Sequence, residues 1–153
     1  MNPVQFRPMS HAYISVLVHV VFSTKNRQPL ISEEIQLKLW PYIGGIARAN
    51  QFKALAVGGM LDHVHALLSL PATIPIAKAV QLIKGGSSKW INDQSLRRNF
   101  AWQDAYGAFS IGISQVNSTI RYIKNQKQHH TKIDFNGELK LILKRHGMTL
   151  LSA

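Results

Sequence analysis

Apolar and polar positions alternate between Tyr13 and Phe22. Ile14, Val16, Val18, Val20 and Phe22 fall on one side of an extended chain, and Tyr13, Ser15, Leu17, His19 and Val21 on the other. The pattern predicts a long strand over 12–23 with one face more uniformly apolar. Ser32 before Glu33 and Glu34 reads as an N-cap with an acidic first turn, which suits the positive end of a helix. That helix should run toward Asn50 with Leu39, Ile43, Ile46 and Ala47 inward, and Pro41 should kink or split it. Residues 52–57 and 62–70 read as two strands joined through Gly58-Gly59, a hairpin.

Pro75 suits the first turn of a second helix, in which Ile76, Ala79, Val80 and Ile83 share a face. The run Lys84-Gly85-Gly86-Ser87-Ser88 should interrupt it, and residues 92–105 are polar enough to be loop. Alternation returns over 106–113, with Phe109, Ile111 and Ile113 inward. Ser114 caps a third helix over 115–129 with Val116, Ile120 and Ile123 as its apolar face, and a short fourth helix covers 138–145. The order β-α-β-β-α-β-α-α folds most simply as an α+β domain of the ferredoxin-like or RRM-like kind. It has a four-stranded antiparallel sheet with helices on one face and the other face open. No repeat or linker divides the chain, so 1–153 is read as a single domain.

Charge narrows the class of partner. Lys plus Arg is 18 and Asp plus Glu is 7, a formal net charge of +11, which points to a polyanion and most often to nucleic acid. The absence of Cys removes disulfide scaffolds, thiolate zinc sites and cysteine nucleophiles. The longest strongly apolar stretch, residues 14–22, is too short for a membrane span, and the first ten residues lack the apolar core of a leader peptide. A cytoplasmic protein with no membrane partner is expected.

Asp62-His63-Val64-His65 places two imidazoles two residues apart on a strand, hence on one face and roughly 6–7 Å apart along it. Val64, Ala66, Leu68 and Leu70 take the core parity, so His63, His65 and His19 are expected on the open face. The pair suits a divalent metal; the plainer reading is two half-exposed strand histidines. In the third helix Tyr122 and Gln126 are four apart and stack on one face, with His129 and His130 a turn later. The plainer reading there is a basic, solvated helix with an amphipathic Tyr at its edge.

Together these segments resemble the single-tyrosine HUH transposases of bacterial insertion sequences and their domesticated, repeat-associated relatives. The matching runs are 19–27 (HVVFSTKNR), 59–65 (GMLDHVH), 82–90 and Tyr122-Ile123-Lys124-Asn125-Gln126 followed by His129-His130. The resemblance implies that Tyr122 is the nucleophile, on a helix at the open face, and that His63, His65 and Gln126 hold the metal. It implies Mg2+ or Mn2+, although two imidazoles by themselves lean toward Mn2+. The implied activity is cleavage and rejoining of single-stranded DNA through a covalent 5′-phosphotyrosine, on substrates with hairpin-forming ends. The implied assembly is a homodimer whose active sites are shared between subunits, associated with the nucleoid when on DNA. The first strand, residues 14–22, reads as a long apolar edge that suits pairing with a second copy. The alternative from another class is a non-catalytic single-stranded nucleic-acid-binding module on the same sheet.

Phosphates should be met by Lys25, Arg27, Lys78, Lys84, Lys89, Arg97 and Arg98, and by Arg121, Lys124 and Lys127 of the third helix. For any one of them a simple solvated charge is an equal reading. Trp90, Trp102 and Tyr106 are candidates for stacking on unpaired bases, Trp102 ahead of Trp90.

Overall fold

The computed structural model describes residues 12–94 and 99–149. Strands β1 (Leu17–Ser23) and β3 (His63–Ser69) lie side by side in the middle of an antiparallel sheet. Its order is β2-β3-β1-β4, with β2 (Lys53–Gly59) and β4 (Gly107–Ser110) at the edges. Helices α1 (Glu33–Ala49) and α2 (Ile76–Asp93) cover one face. There Val18, Val20, Phe22, Val64, Ala66 and Leu68 pack against Leu39, Ile43, Ala79, Val80 and Ile83. This is the expected α+β fold, and the core parity of both central strands follows the sequence pattern.

The second face differs from the expected open surface. Helices α3 (Val116–Lys124), α4 (Gln126–His129) and α5 (Phe135–Arg145) complete the fold. Val116 and Ile123 of α3 pack on Leu17, Ala56 and Leu67, while Phe135 and Ile142 of α5 pack with Val21 and Phe109. Leu17, Val21 and Leu67 are as apolar as the residues of the first face, and a sheet apolar on both sides must be covered on both. Consequently every residue of β1 and β3 is buried, and His63 and His65 are fully enclosed rather than half-exposed.

Several local expectations shift for identifiable reasons. The first strand begins at Leu17, and it is interior, not an apolar edge free to pair with a second copy. Pro41 sits inside α1 without dividing it, and Ile35 N–H donates to the Ser32 cap at 3.3 Å. The Gly-Ser run does not interrupt α2. A Cβ on Gly86 would stand 2.9 Å from Ile46 Cδ1, so the glycine lets α1 and α2 approach, and Ser87 Oγ donates to the Ile83 carbonyl at 2.6 Å. The predicted third helix is divided at Asn125, whose ψ of 28° leaves the α region. Phe109 lies on the second face rather than with the main core, and Ile113 is exposed.

Candidate active site

Antiparallel register assembles the centre. On β3 His63 and His65 face the same way, and β1 sets Val21 beside His65 and Ser23 beside His63. His19, one pleat further along, shares a hydrogen bond of 2.9 Å between its Nε2 and His65 Nδ1. α3 is drawn onto this face by Ile123, and Gly58 leaves room for the Ile123 carbonyl. Tyr122 then hangs over the His pair, its ring centroid 5.6 Å from His65. Gln126, one turn on, donates its amide to the Tyr122 carbonyl at 3.2 Å, so its Oε1 points inward.

The last helix supplies the group that unites these residues. Asp134 caps α5 by accepting from Gly137 N–H at 2.9 Å, and Phe135 stacks on His63 with centroids 4.5 Å apart. Glu138, one turn later, is wholly buried. Its Oε1 accepts from His65 Nε2 at 2.9 Å and lies 3.3 Å from His63 Nε2 and 3.1 Å from His130 Nε2. Its Oε2 accepts from the Tyr122 hydroxyl and lies 3.4 Å from His129 Nε2. On the far side of His63, Nδ1–H donates to Asp62 at 2.7 Å.

These contacts set the protonation states. Burial disfavours a charged His63, but its bonds to Asp62 and Glu138 outweigh burial and carry its pKa up to about 9. Burial would raise the Glu138 carboxyl, yet hydrogen bonds from His63 and His65 hold it far below the usual carboxylate range. Burial, and next the bond to Glu138, push the Tyr122 phenol well above its ordinary value. Burial, joined by the charge of His65, lowers His19 to about 3, so it is neutral throughout the physiological range. The centre thus rests with a protonated phenol against an ionised carboxylate.

The donor set also suits a cation. His63, His130 and Glu138 each offer a ligand atom within 4.8 Å of the others, a candidate His-His-Glu metal site. With Gln126 they close a ring. His63 Nε2 to Gln126 Oε1 is 3.1 Å, Gln126 Oε1 to His130 Nε2 3.0 Å, His130 Nε2 to Glu138 Oε1 3.1 Å, and Glu138 Oε1 to His63 Nε2 3.3 Å. Neighbouring donors in an octahedral shell at about 2.1 Å from Mg2+ stand roughly 3 Å apart, so the ring has the right size. A carboxylate and an amide oxygen beside the imidazoles also ease the conflict between nitrogen ligands and a hard cation.

The structure thus brings Tyr122, His63, His65 and Gln126 together, as the sequence suggested. Glu138 was missed. The available signal was one acidic residue on the inward stripe of a basic terminal helix, between Phe135 and Ile142. The cations separate into groups. Lys25, Arg121 and Lys124 are exposed, Lys89 pairs with Asp93 and Lys127 with Glu33. Lys84 Nζ is turned onto the carbonyls of Gln103, Asp104 and Ala105, where it ties α2 to the loop before β4. Arg27 lies over Phe135 and 3.8 Å from Asp62, its Nε buried with no hydrogen-bond partner. Arg97 and Arg98 lie outside the described residues. Trp102 is no stacking platform: it is buried edge-on between Phe22 and Phe100, its indole N–H donating to Ser87. Trp90 stacks on Tyr42, and Tyr106 is exposed.

Residues 12–126 match the family model described as "Transposase IS200 like". Among solved structures, a transposase-like protein of Deinococcus radiodurans R1 has a TM-score of 0.63 at 22% identity, covering 80% of this chain and 98% of that one. The REP-associated tyrosine transposase bound to a REP hairpin has a TM-score of 0.57 at 18% identity, covering 84% of this chain and 76% of that one. At these identities the two structures attest the fold. No curated protein matches the chain.

Proposed function

The chain belongs to the IS200-like transposases, and from that premise we propose that it cleaves and rejoins single-stranded DNA with Tyr122 as nucleophile. The carrying observation is the Tyr122 hydroxyl, held on the same carboxylate that gathers His63 and His65. Attack by the phenolic oxygen on a phosphodiester forms the bond from phosphorus to that oxygen and breaks the bond to the 3′-oxygen. The 5′-phosphate stays on Tyr122 and the 3′-oxygen leaves as a hydroxyl, so the bond energy is kept for rejoining.

His63, His65 and Gln126, joined by His130 and Glu138, are the residues that would hold Mg2+ or Mn2+. Such a cation supplies polarisation of the scissile phosphate and neutralisation of developing charge. A cavity of about 310 Å³ beside Tyr122, lined also by Gln115, Ser118, Thr119 and Arg145, gives a strand access to the phenol. Arg27, part-exposed beside Asp62, and the exposed Lys25, Arg121 and Lys124 supply the basic surface for phosphates. The REP-associated relative was solved on a hairpin, which supports single strands with hairpin-forming ends as the substrate.

Assembly enters in one of two forms. A homodimer with shared sites would set Tyr122 of one subunit over the His pair of the other. Within a single chain, however, Tyr122, Gln126 and Glu138 already meet the chain's own His63 and His65, and this is the arrangement we adopt. Incubation with a single-stranded hairpin oligonucleotide and Mn2+ should leave a DNA adduct on the Tyr122 peptide by mass spectrometry. Tyr122→Phe should form none. An adduct on Tyr106 or Tyr13 would refute the assignment.

A further inference from the structure

The family match ends at residue 126, yet three polar side chains bonded to Tyr122 or Gln126 lie beyond it: His129, His130 and Glu138. Glu138 is the most enclosed of the three, with no exposure to solvent. A buried carboxylate survives only with close partners, and each of its oxygens has a separate set. Oε1 belongs to the ring of would-be ligands, while Oε2 takes the Tyr122 hydroxyl. The position of this carboxylate is set by the packing of α5. Phe135 is stacked on His63, Ile142 is packed with Val21 and Phe109, and the Arg27 guanidinium lies 5.4 Å from the Phe135 centroid.

We propose that Glu138 is a positioning residue for Tyr122, holding the attacking oxygen at a set distance from the ligand ring by giving one carboxylate oxygen to each. This rests on the reading of Tyr122 as nucleophile. The phenol sits at the end of a side chain with two rotatable bonds, on a residue that is only half-buried. A fixed acceptor removes that freedom before DNA arrives, and preorganisation of this kind accounts for large factors in rate. The terminal helix therefore completes the centre within one chain, although it lies beyond the residues that match the family model.

Three readouts test this on the full chain. Ultraviolet resonance Raman, as wild type minus Tyr122→Phe, isolates the hydroxyl of that tyrosine. Electron paramagnetic resonance measures Mn2+ affinity without DNA, and single-turnover cleavage of a hairpin oligonucleotide measures the rate. In Glu138→Gln the Raman signature of donation to a carboxylate should vanish. Mn2+ affinity should fall about 10- to 100-fold and the rate about 100-fold, with DNA affinity nearly unchanged. Leu141→Ala removes an exposed side chain from the same helix and should retain all three properties. If Glu138→Gln does not fold, Glu138→Asp keeps the charge but is too short to serve both sides, and it should also lose the signature.

A variant at Glu138 that keeps the Raman signature and the wild-type rate would overturn the inference. So would a Leu141→Ala protein that is folded yet shows every defect of Glu138→Gln. A wild type that forms no Tyr122 adduct at all is a different result: it overturns the nucleophile reading and this role with it.

Discussion

Gly58 on β2 lies so close beneath Ile123 on α3 that a Cβ there would stand 2.4 Å from the Ile123 carbonyl oxygen. The obstructing atom is backbone, so no side-chain rotation relieves the contact, and Ile123 is the neighbour of Tyr122. Gly58→Ala should therefore push the tyrosine helix off the sheet. Overpacking of this kind costs about 1–3 kcal/mol, and displacement of the phenol by about 1 Å should slow cleavage roughly 100-fold. Gly85, with nothing within 4 Å of its would-be Cβ, is the control. Gly85→Ala should stabilise α2 by about 0.5–1 kcal/mol and leave cleavage alone. Urea melts and single-turnover assays on both variants check the pair.

His65 bonds to His19 on one side and Glu138 on the other, with no exposure to solvent. His65→Ala should therefore cost stability as well as activity, since it leaves two buried partners short of a bond. The expected loss is about 1–3 kcal/mol by urea melt, together with loss of cleavage in Mg2+. Full cleavage by the variant would remove His65 from the centre.

A divalent cation held by the proposed centre of His63, His65, Gln126, His130 and Glu138 binds only the folded chain. Mn2+ at 100 times its dissociation constant should add about 2.7 kcal/mol to stability. The melting temperature should rise in Mn2+ and return in excess EDTA, and the rise should be absent in His63→Ala. Equal rises in both proteins would place the cation elsewhere.

Mixing Tyr122→Phe with His65→Ala subunits separates the two assemblies. With the site formed in one chain, each centre in the mixture lacks one group and cleavage stays absent. A centre shared between subunits would restore activity, up to half the wild-type level per dimer, because one site then unites an intact His pair with an intact Tyr122. Recovery in a confirmed heterodimer would refute the single-chain arrangement.

Much of the centre is legible in the sequence. Strand parity puts His19, His63 and His65 on one face, and helical spacing puts Tyr122 above Gln126, because both depend only on backbone repeats of two and about four residues. The element order and the +11 charge lead to the sheet and to nucleic acid by equally local arguments. The capping Ser32 and the pairing of residues 52–57 with 62–70 as a hairpin are readable for the same reason, although Gly58 and Gly59 belong to β2 and the turn falls at 60–62.

What no local pattern carries is which element covers which face. Lys84 and Trp102 look like ligands for DNA in the sequence, but the fold turns one onto the backbone carbonyls of residues 103–105 and closes the other between Phe22 and Phe100. The first strand looks like an edge, yet β3 and β4 flank it. Glu138 lies 73 residues from His65 in sequence and meets it only because Phe135 and Ile142 dock α5 on the sheet. Parity and helical period are properties of a few consecutive residues, so the sequence by itself determined which side chains could share a face. Burial and pairing are sums over contacts between distant segments, so the tertiary structure alone decided that this face would be closed and that a carboxylate would stand between the histidines and the tyrosine.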